Sequence, residues 1–204
     1  MSIRVATSLE NRDSANAATS TADRANDPAR RAEASLVERA IEGDERALRE
    51  IYRTHQRQVR AHLYRLLGED SEVDDLLQTV FARAFNALDR FEGKSTLRTW
   101  LYRITANTTH NLLRKRYRTE RIRTAFGRFV NAAGPRVETS RVEARDEAAR
   151  ALRSINPELQ EVFILYHYEG LTLQEISDIL ERPISTIGDR LTRARKRLKV
   201  QVQQ

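Results

Sequence analysis

The chain has 204 residues, with 36 lysines and arginines against 29 aspartates and glutamates, so its formal net charge is +7. Its length and its hydrophobic content of 40% suffice for one modest core or two small ones, and the positive charge favours a polyanionic partner such as nucleic acid or an anionic membrane surface. Because the chain contains no cysteine, disulfides, thiolate zinc sites and thiol nucleophiles are excluded.

Residues 1–33 are rich in small and polar side chains, and the few large apolar ones do not offset the entropy of ordering. We predict a disordered tail there. The N-terminus lacks the apolar core of a signal peptide, and no apolar run of about 18 residues occurs anywhere in the chain. We therefore expect a cytoplasmic protein that does not insert into membranes.

Helical periodicity begins at a capping pattern, Ser35 followed by Glu38, and continues with few glycines or prolines and no alternating strand pattern. The sequence therefore predicts an all-α fold. Four helices are predicted in a first module, residues 34–118, near 35–42, 45–67, 71–90 and 95–117.

The third and fourth predicted helices each carry an apolar face, and we expect these two faces to pack together. The stripe on the third helix consists of Val73, Leu76, Leu77, Val80, Phe81, Ala84, Phe85 and Leu88. The face on the fourth consists of Leu97, Leu101, Ile104 and Leu112.

Residues 119–139 lose this periodicity and contain Gly127, Gly134 and Pro135, which predicts a flexible linker. Fully extended, it would reach about 70 Å at roughly 3.3 Å per residue, enough to separate two modules by more than one DNA turn. Phe126, Phe129 and Val130 are unusual in a linker: they belong either to a short helix docked on the chain or to a segment that inserts into a partner.

Residues 140–204 form a second predicted module, with helices near 140–154, 157–169, 173–181 and 185–199. Asn156 and Pro157 are a helix start signal, and Gly170 is a stop signal. Thr172 and Glu175 form a second capping box.

The last two helices match a helix-turn-helix pattern. Ile187, Leu191, Ala194 and Leu198 fall on one face of the final helix, where they can pack on the preceding one. The opposite face offers polar side chains for bases at its N-terminal end and cations for phosphates further along. An amphipathic helix with a solvated basic face is the alternative. The predicted DNA-binding residues are Ser185, Thr186, Asp189, Arg190, Arg193, Lys196 and Arg197.

Two residues in this helix are unusual for a DNA-binding surface. Gly188 lowers helix stability by about 1 kcal/mol relative to alanine, so it is either a tolerated defect or a point of close backbone approach to DNA. Asp189 is unfavourable beside phosphates, but a carboxylate can accept from the amino group of cytosine. We hypothesise that Asp189 contributes to base choice rather than to affinity.

Two further charged stretches lie within the first module or across its end. Residues 112–123 carry six lysines and arginines, and Arg103 lies earlier on the same predicted helix. These cations either contact phosphates or belong to a solvated helix end. Residues 69–75 carry five carboxylates, which suit a helix N-terminus but exclude DNA, so a basic protein partner is expected. The four histidines are scattered and no phosphate loop or nucleophile elbow is present. We predict no enzyme, no metal and no cofactor.

Two long stretches resemble one protein family. Residues 74–116, DDLLQTVFARAFNALDRFEGKSTLRTWLYRITANTTHNLLRKR, resemble region 2 of the extracytoplasmic-function, or group IV, bacterial sigma factors. Residues 155–199, INPELQEVFILYHYEGLTLQEISDILERPISTIGDRLTRARKRLK, resemble their region 4. The resemblance implies a non-catalytic subunit with two small helical domains that binds core RNA polymerase and promoter DNA.

The resemblance also assigns roles to residues. Region 4 holds the minus-thirty-five element, so the seven residues above are called the minus-thirty-five set. Region 2 opens the minus-ten element, and its implied contacts, the minus-ten set, are Phe91, Lys94, Ser95, Thr96, Arg98, Arg103, Asn107 and Arg114. The implied contacts with polymerase, the polymerase set, are Asp74, Asp75 and Gln78.

The remaining expectations concern a further partner, one departure from the family pattern and two rival hypotheses. An anti-sigma factor is expected as a further partner. The family commonly has lysine or arginine and serine where this chain has Gly188 and Asp189, so its promoter preference is not transferred. The rival hypotheses are a stand-alone helix-turn-helix repressor or activator, which would bind a palindromic site as a dimer, and a general RNA-binding protein.

Overall fold

The computed structural model describes residues 28–68, 71–127 and 150–202. Within these ranges every regular element is helical, which confirms the predicted all-α fold. The described residues up to Leu48 belong to one compact unit, and those from Arg49 onwards belong to a second. Most of the predicted disordered tail, residues 1–27, lies outside the described residues, as do residues 128–149, which include most of the predicted linker.

The helices follow one another closely along the chain. Residues 150–154 are also helical, and Leu88–Arg90 form a short 3-10 turn. The helices are α1 (Pro28–Ile41), α2 (Glu45–Leu67), α3 (Glu72–Asn86), α4 (Leu97–Gly127), α5 (Pro157–His167), α6 (Leu173–Leu180) and α7 (Ile184–Val202).

Helix α1 begins earlier than predicted, at Pro28, so the prediction that Ser35 caps it is wrong: Ser35 lies in its middle. Proline suits the first helical position because that residue needs no N–H partner, and the alanines that follow favour helix. The helix ends before Gly43, whose φ of +91° places it in the left-handed region. The side chain of Asp44 then accepts a hydrogen bond of 2.8 Å from the backbone N–H of Arg46 and caps α2.

Helices α3 and α4 pack against each other, as predicted. On α3 the buried side chains are Val73, Leu77, Val80, Phe81 and Ala84. Two other members of the predicted stripe, Leu76 and Phe85, are half-buried because they lie at its edges.

Helix α4 ends ten residues later than predicted: it continues to Gly127 instead of ending at residue 117. The first nine residues of the predicted linker are therefore helical. They have no apolar stripe, but arginine, glutamate and alanine have high helix propensity and extend a helix that has already formed. Within α4, Thr105 and Thr109 are completely buried. The Thr105 hydroxyl donates to the backbone carbonyl of Leu101 at 2.8 Å, and the Thr109 hydroxyl donates to that of Thr105 at 3.0 Å.

Local signals set the ends of the helices in the second predicted module. Asn156 caps α5 and accepts from the backbone N–H of Glu158 at 2.8 Å, with Pro157 at the first helical position. Thr172 and Glu175 form the predicted capping box at the start of α6. Glu181 ends α6 in the left-handed conformation, at φ 52°.

One hydrophobic cluster joins α4 to the helix-turn-helix. Within this cluster α6 packs on α7, and α4 contacts both α5 and α6. Hence segments 34–118 and 140–204, predicted as separate modules, are in contact in this structure. The buried members are Tyr102, Ala106, Val162, Leu165, Leu171, Ile176, Ile179, Ile187 and Leu191.

Candidate nucleic-acid interface

The helix-turn-helix positions α7 through three buried side chains, Ile187, Leu191 and Ala194. Because they recur at helical spacing, they hold one face of α7 against α5 and α6. The opposite face is open to solvent. Of the minus-thirty-five set, five members are exposed and two, Thr186 and Arg190, are half-buried. All seven lie on this one helix, as predicted.

Two arginines of the minus-thirty-five set are held by carboxylates of the chain. Arg190 pairs with Glu158 of α5 at 2.6 Å, and its side chain is only 15% exposed. Arg193 bonds to Asp189 one turn earlier at 2.7 and 3.0 Å, with both side chains exposed. The positive charge that α7 offers to a polyanion is therefore smaller than its sequence suggests. Asp189 also has a local role, because it orients Arg193.

The first four residues of the minus-ten set lie in the loop that precedes α4. Phe91 is half-buried and makes an edge contact with Trp100, with 5.5 Å between the ring centroids. Lys94 is exposed and paired with Glu92, and this pairing lowers the pKa of the Glu92 carboxyl. Thr96 caps α4: its hydroxyl oxygen accepts from the backbone N–H of Thr99 at 3.2 Å.

The other four residues of the minus-ten set lie along α4, where they divide into two pairs. Asn107 and Arg114 are exposed. Arg98 and Arg103 are half-buried and are turned towards the second segment. Arg98 donates to the backbone carbonyl of Glu169 at 2.5 Å, and Arg103 donates to that of Asp178 at 2.5 Å. The structure thus brings the two predicted DNA-binding regions into direct contact.

Glu169, between α5 and α6, is the centre of this contact and was not predicted from the sequence. Its carboxylate lies 2.8 Å from Arg65 and 3.2 Å from Nδ1 of His62 on α2, and 2.5 Å from the hydroxyl of Tyr102 on α4. Arg98 adds an ion pair at 3.6 Å. Sequence patterns mark each helix, but nothing in them indicates that these side chains meet one carboxylate.

The surroundings of Glu169 keep it ionised. Burial alone raises the pKa of its carboxyl, but hydrogen bonds from His62 and Tyr102 and the charge of Arg65 outweigh burial and hold the pKa below its ordinary value. Burial, with the hydrogen bond to Glu169, raises the pKa of Tyr102, so its hydroxyl remains a donor. An anionic acceptor surrounded by donors makes strong hydrogen bonds.

The polymerase set lies on an exposed acidic face of α3, since Asp74, Asp75 and Gln78 all point to solvent. Asp74 bonds to Arg60 of α2 at 2.8 and 3.1 Å, and this arginine lowers the pKa of the carboxyl. Asp75 leaves its carboxylate on the surface. Such a face suits a basic protein surface, not DNA.

The end of α4 presents a basic strip, with Arg114, Lys115, Arg118, Arg121 and Arg123 all exposed. Among the described residues, no group of histidines, aspartates and glutamates is placed to hold a metal ion. The described helices also include none that is long and apolar enough to span a membrane.

Comparison with known proteins gives consistent matches along the chain. The family described as Sigma-70 region 2 matches residues 51–119, and the family described as Sigma-70, region 4, matches residues 145–198. The ECF RNA polymerase sigma-E factor of Escherichia coli strain K12 is 30% identical over 178 residues, covering 82% of this chain and 93% of that protein. The RNA polymerase sigma-H factor of Pseudomonas aeruginosa PAO1 is 30% identical over 171 residues, covering 79% of this chain and 89% of that protein.

Solved structures agree with this fold. CnrH in complex with the cytosolic domain of CnrY matches with a TM-score of 0.63 and 26% identity, covering 84% of this chain and 97% of that one. The sigma factor RpoE of Bartonella quintana, solved with the anti-sigma factor NepR, matches with a TM-score of 0.58 and 24% identity, covering 76% and 96%.

Proposed function

The chain belongs to the extracytoplasmic-function RNA polymerase sigma factors, and we propose that its two matched regions divide promoter recognition between them on core RNA polymerase. As a sigma factor it directs promoter recognition at transcription initiation. In this proposal residues 34–118 contact polymerase and the minus-ten element, residues 119–139 link the domains, and residues 140–204 hold the minus-thirty-five element.

The observation that carries the proposal is the geometry of α7. One face is buried on α5 and α6, while the other presents Ser185 and Asp189 near its N-terminal end and Lys196 and Arg197 further along. A recognition helix meets base edges with its N-terminal residues and phosphates with the cations that follow. The minus-thirty-five set has this order.

The minus-ten element is proposed to meet the loop before α4. A base flipped from the nontemplate strand can stack on an aromatic ring, which stabilises it by about 1 to 3 kcal/mol. Phe91 is half-buried against Trp100, so its ring is held in place, and Lys94 beside it is exposed for a phosphate. The exposed Asn107 and Arg114 extend this surface along α4.

Energies indicate why such a protein works as a subunit. DNA stacking averages about 1.4 kcal/mol per step, so opening about ten base pairs costs on the order of 14 kcal/mol. One or two captured bases return about 1 to 3 kcal/mol each. The remainder must come from the polymerase, which we propose to bind the acidic face of α3 through Asp74, Asp75 and Gln78.

Three further properties belong to this proposal. The chain is proposed to have no catalytic activity of its own and to act in the cytoplasm, where RNA polymerase works. It is also proposed to bind an anti-sigma factor, and the solved complex of CnrH, to which the chain is similar, with the cytosolic domain of CnrY supports a further protein partner.

Run-off transcription with purified core RNA polymerase tests the function. With the chain added, we expect new start sites on promoters selected from genomic DNA, whereas the chain alone should bind these promoters weakly. Tight binding to a palindromic site without polymerase would instead support a stand-alone repressor or activator. Binding to core enzyme without any change in start sites would refute the proposal.

The role of Asp189 is tested in the same system with a library of minus-thirty-five sequences. Since Asp189 orients Arg193 at 2.7 Å, Asp189→Ala is expected to change which bases are preferred while leaving core binding intact. Glu181→Ala, an exposed carboxylate in the preceding turn, is the control. An unchanged preference in Asp189→Ala would eliminate base choice as the role of this residue.

A further inference from the structure

A cleft lies between the C-terminal half of α4 and the start of α5. Its volume is about 470 Å³, within the range of about 300 to 1,000 Å³ that small-molecule sites occupy. Both helices belong to the same compact unit, so one body supplies both walls. The cleft is therefore large enough for a small organic molecule. The lining residues that matter here are Arg114, Tyr117, Arg118, Arg121 and Ile122 of α4 and Glu158 of α5.

The three arginines make one wall of the cleft strongly basic. They are four and three residues apart, so they lie on one face of α4 and span about 10 Å at roughly 1.5 Å per residue. All three are exposed, and none has a carboxylate partner among the described residues. Carboxylates nearby pair with other cations, Glu72 with Arg116 and Glu120 with Arg123. Because like charges on one helix face repel, an anion that met all three would be favoured.

Two side chains add an apolar surface beside these cations. Tyr117 is half-buried, and the guanidinium of Arg121 lies over its ring at 5.9 Å from the centroid. Ile122 is 52% exposed, an unusual position for a large aliphatic side chain. A planar base can stack on an aromatic ring whichever base it is. The cleft thus offers cations for phosphates and a ring for a base within the same small volume.

The start of α5, which forms the opposite wall, restricts what the cleft can hold. Its first N–H groups are already bonded: Pro157 has none, the N–H of Glu158 donates to the Asn156 side chain, and the next two donate to the Asn156 carbonyl. The Glu158 side chain is 39% exposed and pairs with Arg190 at 2.6 Å. Its carboxylate repels phosphate but can accept from an amino or hydroxyl group. A ligand would therefore place its phosphates on α4 and a neutral, donating part near α5.

We propose that this cleft binds a free nucleoside di- or triphosphate, with its phosphates on the three arginines, its base beside Tyr117 and Ile122, and an amino or hydroxyl group near Glu158. The site goes beyond the proposed function, which does not use a small molecule. Arginine suits phosphate because its planar guanidinium donates two parallel hydrogen bonds to phosphate oxygens. A nucleic-acid strand offers the same phosphate chemistry, but its charge continues past the cleft, and the Glu158 carboxylate disfavours phosphates at the α5 wall.

Isothermal titration calorimetry on the full chain at physiological ionic strength tests the site with ATP, GTP and inorganic triphosphate. We expect one nucleotide per chain, bound about tenfold more tightly than inorganic triphosphate because only the nucleotide stacks on Tyr117.

Three variants separate the contributions. Arg118→Gln should weaken binding of nucleotide and of inorganic triphosphate by about tenfold, since one charge-assisted contact is lost. Tyr117→Leu should weaken the nucleotide alone. Arg57→Gln removes the same charge from an exposed position on α2 and should change neither. Arg114 is kept because it also belongs to the minus-ten set.

Three outcomes would overturn the site. The first is that neither nucleotide binds the wild-type chain. The second is equal weakening by Arg118→Gln and Arg57→Gln, which would show only a general attraction of anions to the net charge of +7. The third is that Arg118→Gln weakens binding of a single-stranded oligonucleotide, followed by fluorescence anisotropy, but of neither nucleotide, which would make the cleft a nucleic-acid surface.

Circular dichroism shows whether each variant is folded. Should Tyr117→Leu not fold, the comparison of Arg118→Gln with Arg57→Gln, both at exposed positions, decides alone. The titration uses the chain without polymerase or promoter. Its failure therefore leaves the proposed function standing, and failure of run-off transcription leaves the nucleotide site standing.

Discussion

Substituting Glu161 should make the chain more stable above neutral pH. Glu161 lies on α5 and is 5% exposed, and its Oε1 atom has no hydrogen-bond partner among the described residues. Burial is the main cause that raises the pKa of its carboxyl to about 7, with Glu158 adding to the rise and Arg190 opposing it. A neutral isostere at this position avoids placing a charge in the interior.

The magnitude follows from linkage between protonation and folding. In the unfolded chain the carboxyl has a pKa near 4.5, and in the folded chain it is about 7. Between these values the folded state binds the proton more tightly, so stability is highest below the lower pKa and falls as pH rises through the higher one. Since one pH unit corresponds to about 1.4 kcal/mol, the loss amounts to about 3 kcal/mol.

Urea unfolding followed by far-ultraviolet circular dichroism measures this difference. Glu161→Gln should match the wild-type chain near pH 4.5 and exceed its free energy of unfolding by about 3 kcal/mol near pH 8. Other groups also titrate, so the readout is the difference between variant and wild type at each pH. Glu42→Gln, at an exposed position, should stay within about 0.5 kcal/mol of wild type throughout. A difference that does not grow with pH would show that the carboxyl ionises freely and would refute the reasoning.

Two further substitutions test local features of the helix-turn-helix. Thr172→Ala removes the capping box of α6, in which the Thr172 hydroxyl accepts from the backbone N–H of Glu175 at 3.2 Å. The substitution should lower the free energy of unfolding, measured with urea, by about 1 kcal/mol. Thr54→Ala, at an exposed threonine within α2, is the control. Gly188→Ala adds a methyl group that, apart from its chain neighbours and the backbone of its own helix, meets no atom within 4 Å, and it should raise stability by about 1 kcal/mol. Promoter binding by the polymerase-bound Gly188→Ala chain then separates the two interpretations of Gly188: unchanged affinity indicates a tolerated defect, and weaker affinity indicates close approach of DNA.

The elements that could be predicted from the sequence are those in which one strong local signal acts. Helix α3 follows from its apolar stripe, and α5 and α6 follow from Asn156 with Pro157 and from Thr172 with Glu175. These signals depend on neighbours in the chain, so the sequence contains them completely. The prediction failed where the signal was weak: α1 extends back to Pro28 and α4 forward to Gly127 through charged residues without an apolar face.

The contacts of the candidate site depended on tertiary structure and were not predictable in the same way. The minus-thirty-five set shares one face of α7 because the buried face of that helix is periodic. Glu169 could not be found by periodicity, since its partners are more than 60 residues away along the chain, 107 residues in the case of His62 and 67 in the case of Tyr102. Likewise Glu161 is charged, a residue type seldom buried without a partner, so composition alone would place it on the surface.

The two buried glutamates of the second matched region differ in protonation, because their surroundings shift their pKa values in opposite directions. Glu169 has donors from α2 and α4 and stays ionised, whereas Glu161 has an oxygen without a donor and holds its proton to about pH 7. Only the ionised carboxylate can bind arginine strongly. Glu169 therefore holds the loop between α5 and α6 against α2 and α4, and Glu161 instead makes the interior beside α5 sensitive to pH.

Contacts that arginines make within the chain limit how strongly the free chain can bind DNA. Arg98 and Arg103 are held by carbonyls of the second region, and Arg190 and Arg193 are held by carboxylates. Each phosphate contact contributes about −0.9 to the slope of log affinity against log salt, so four arginines held by the chain itself make that slope less steep by up to about 4 units. The net charge of +7 thus overstates the affinity of the free chain for DNA.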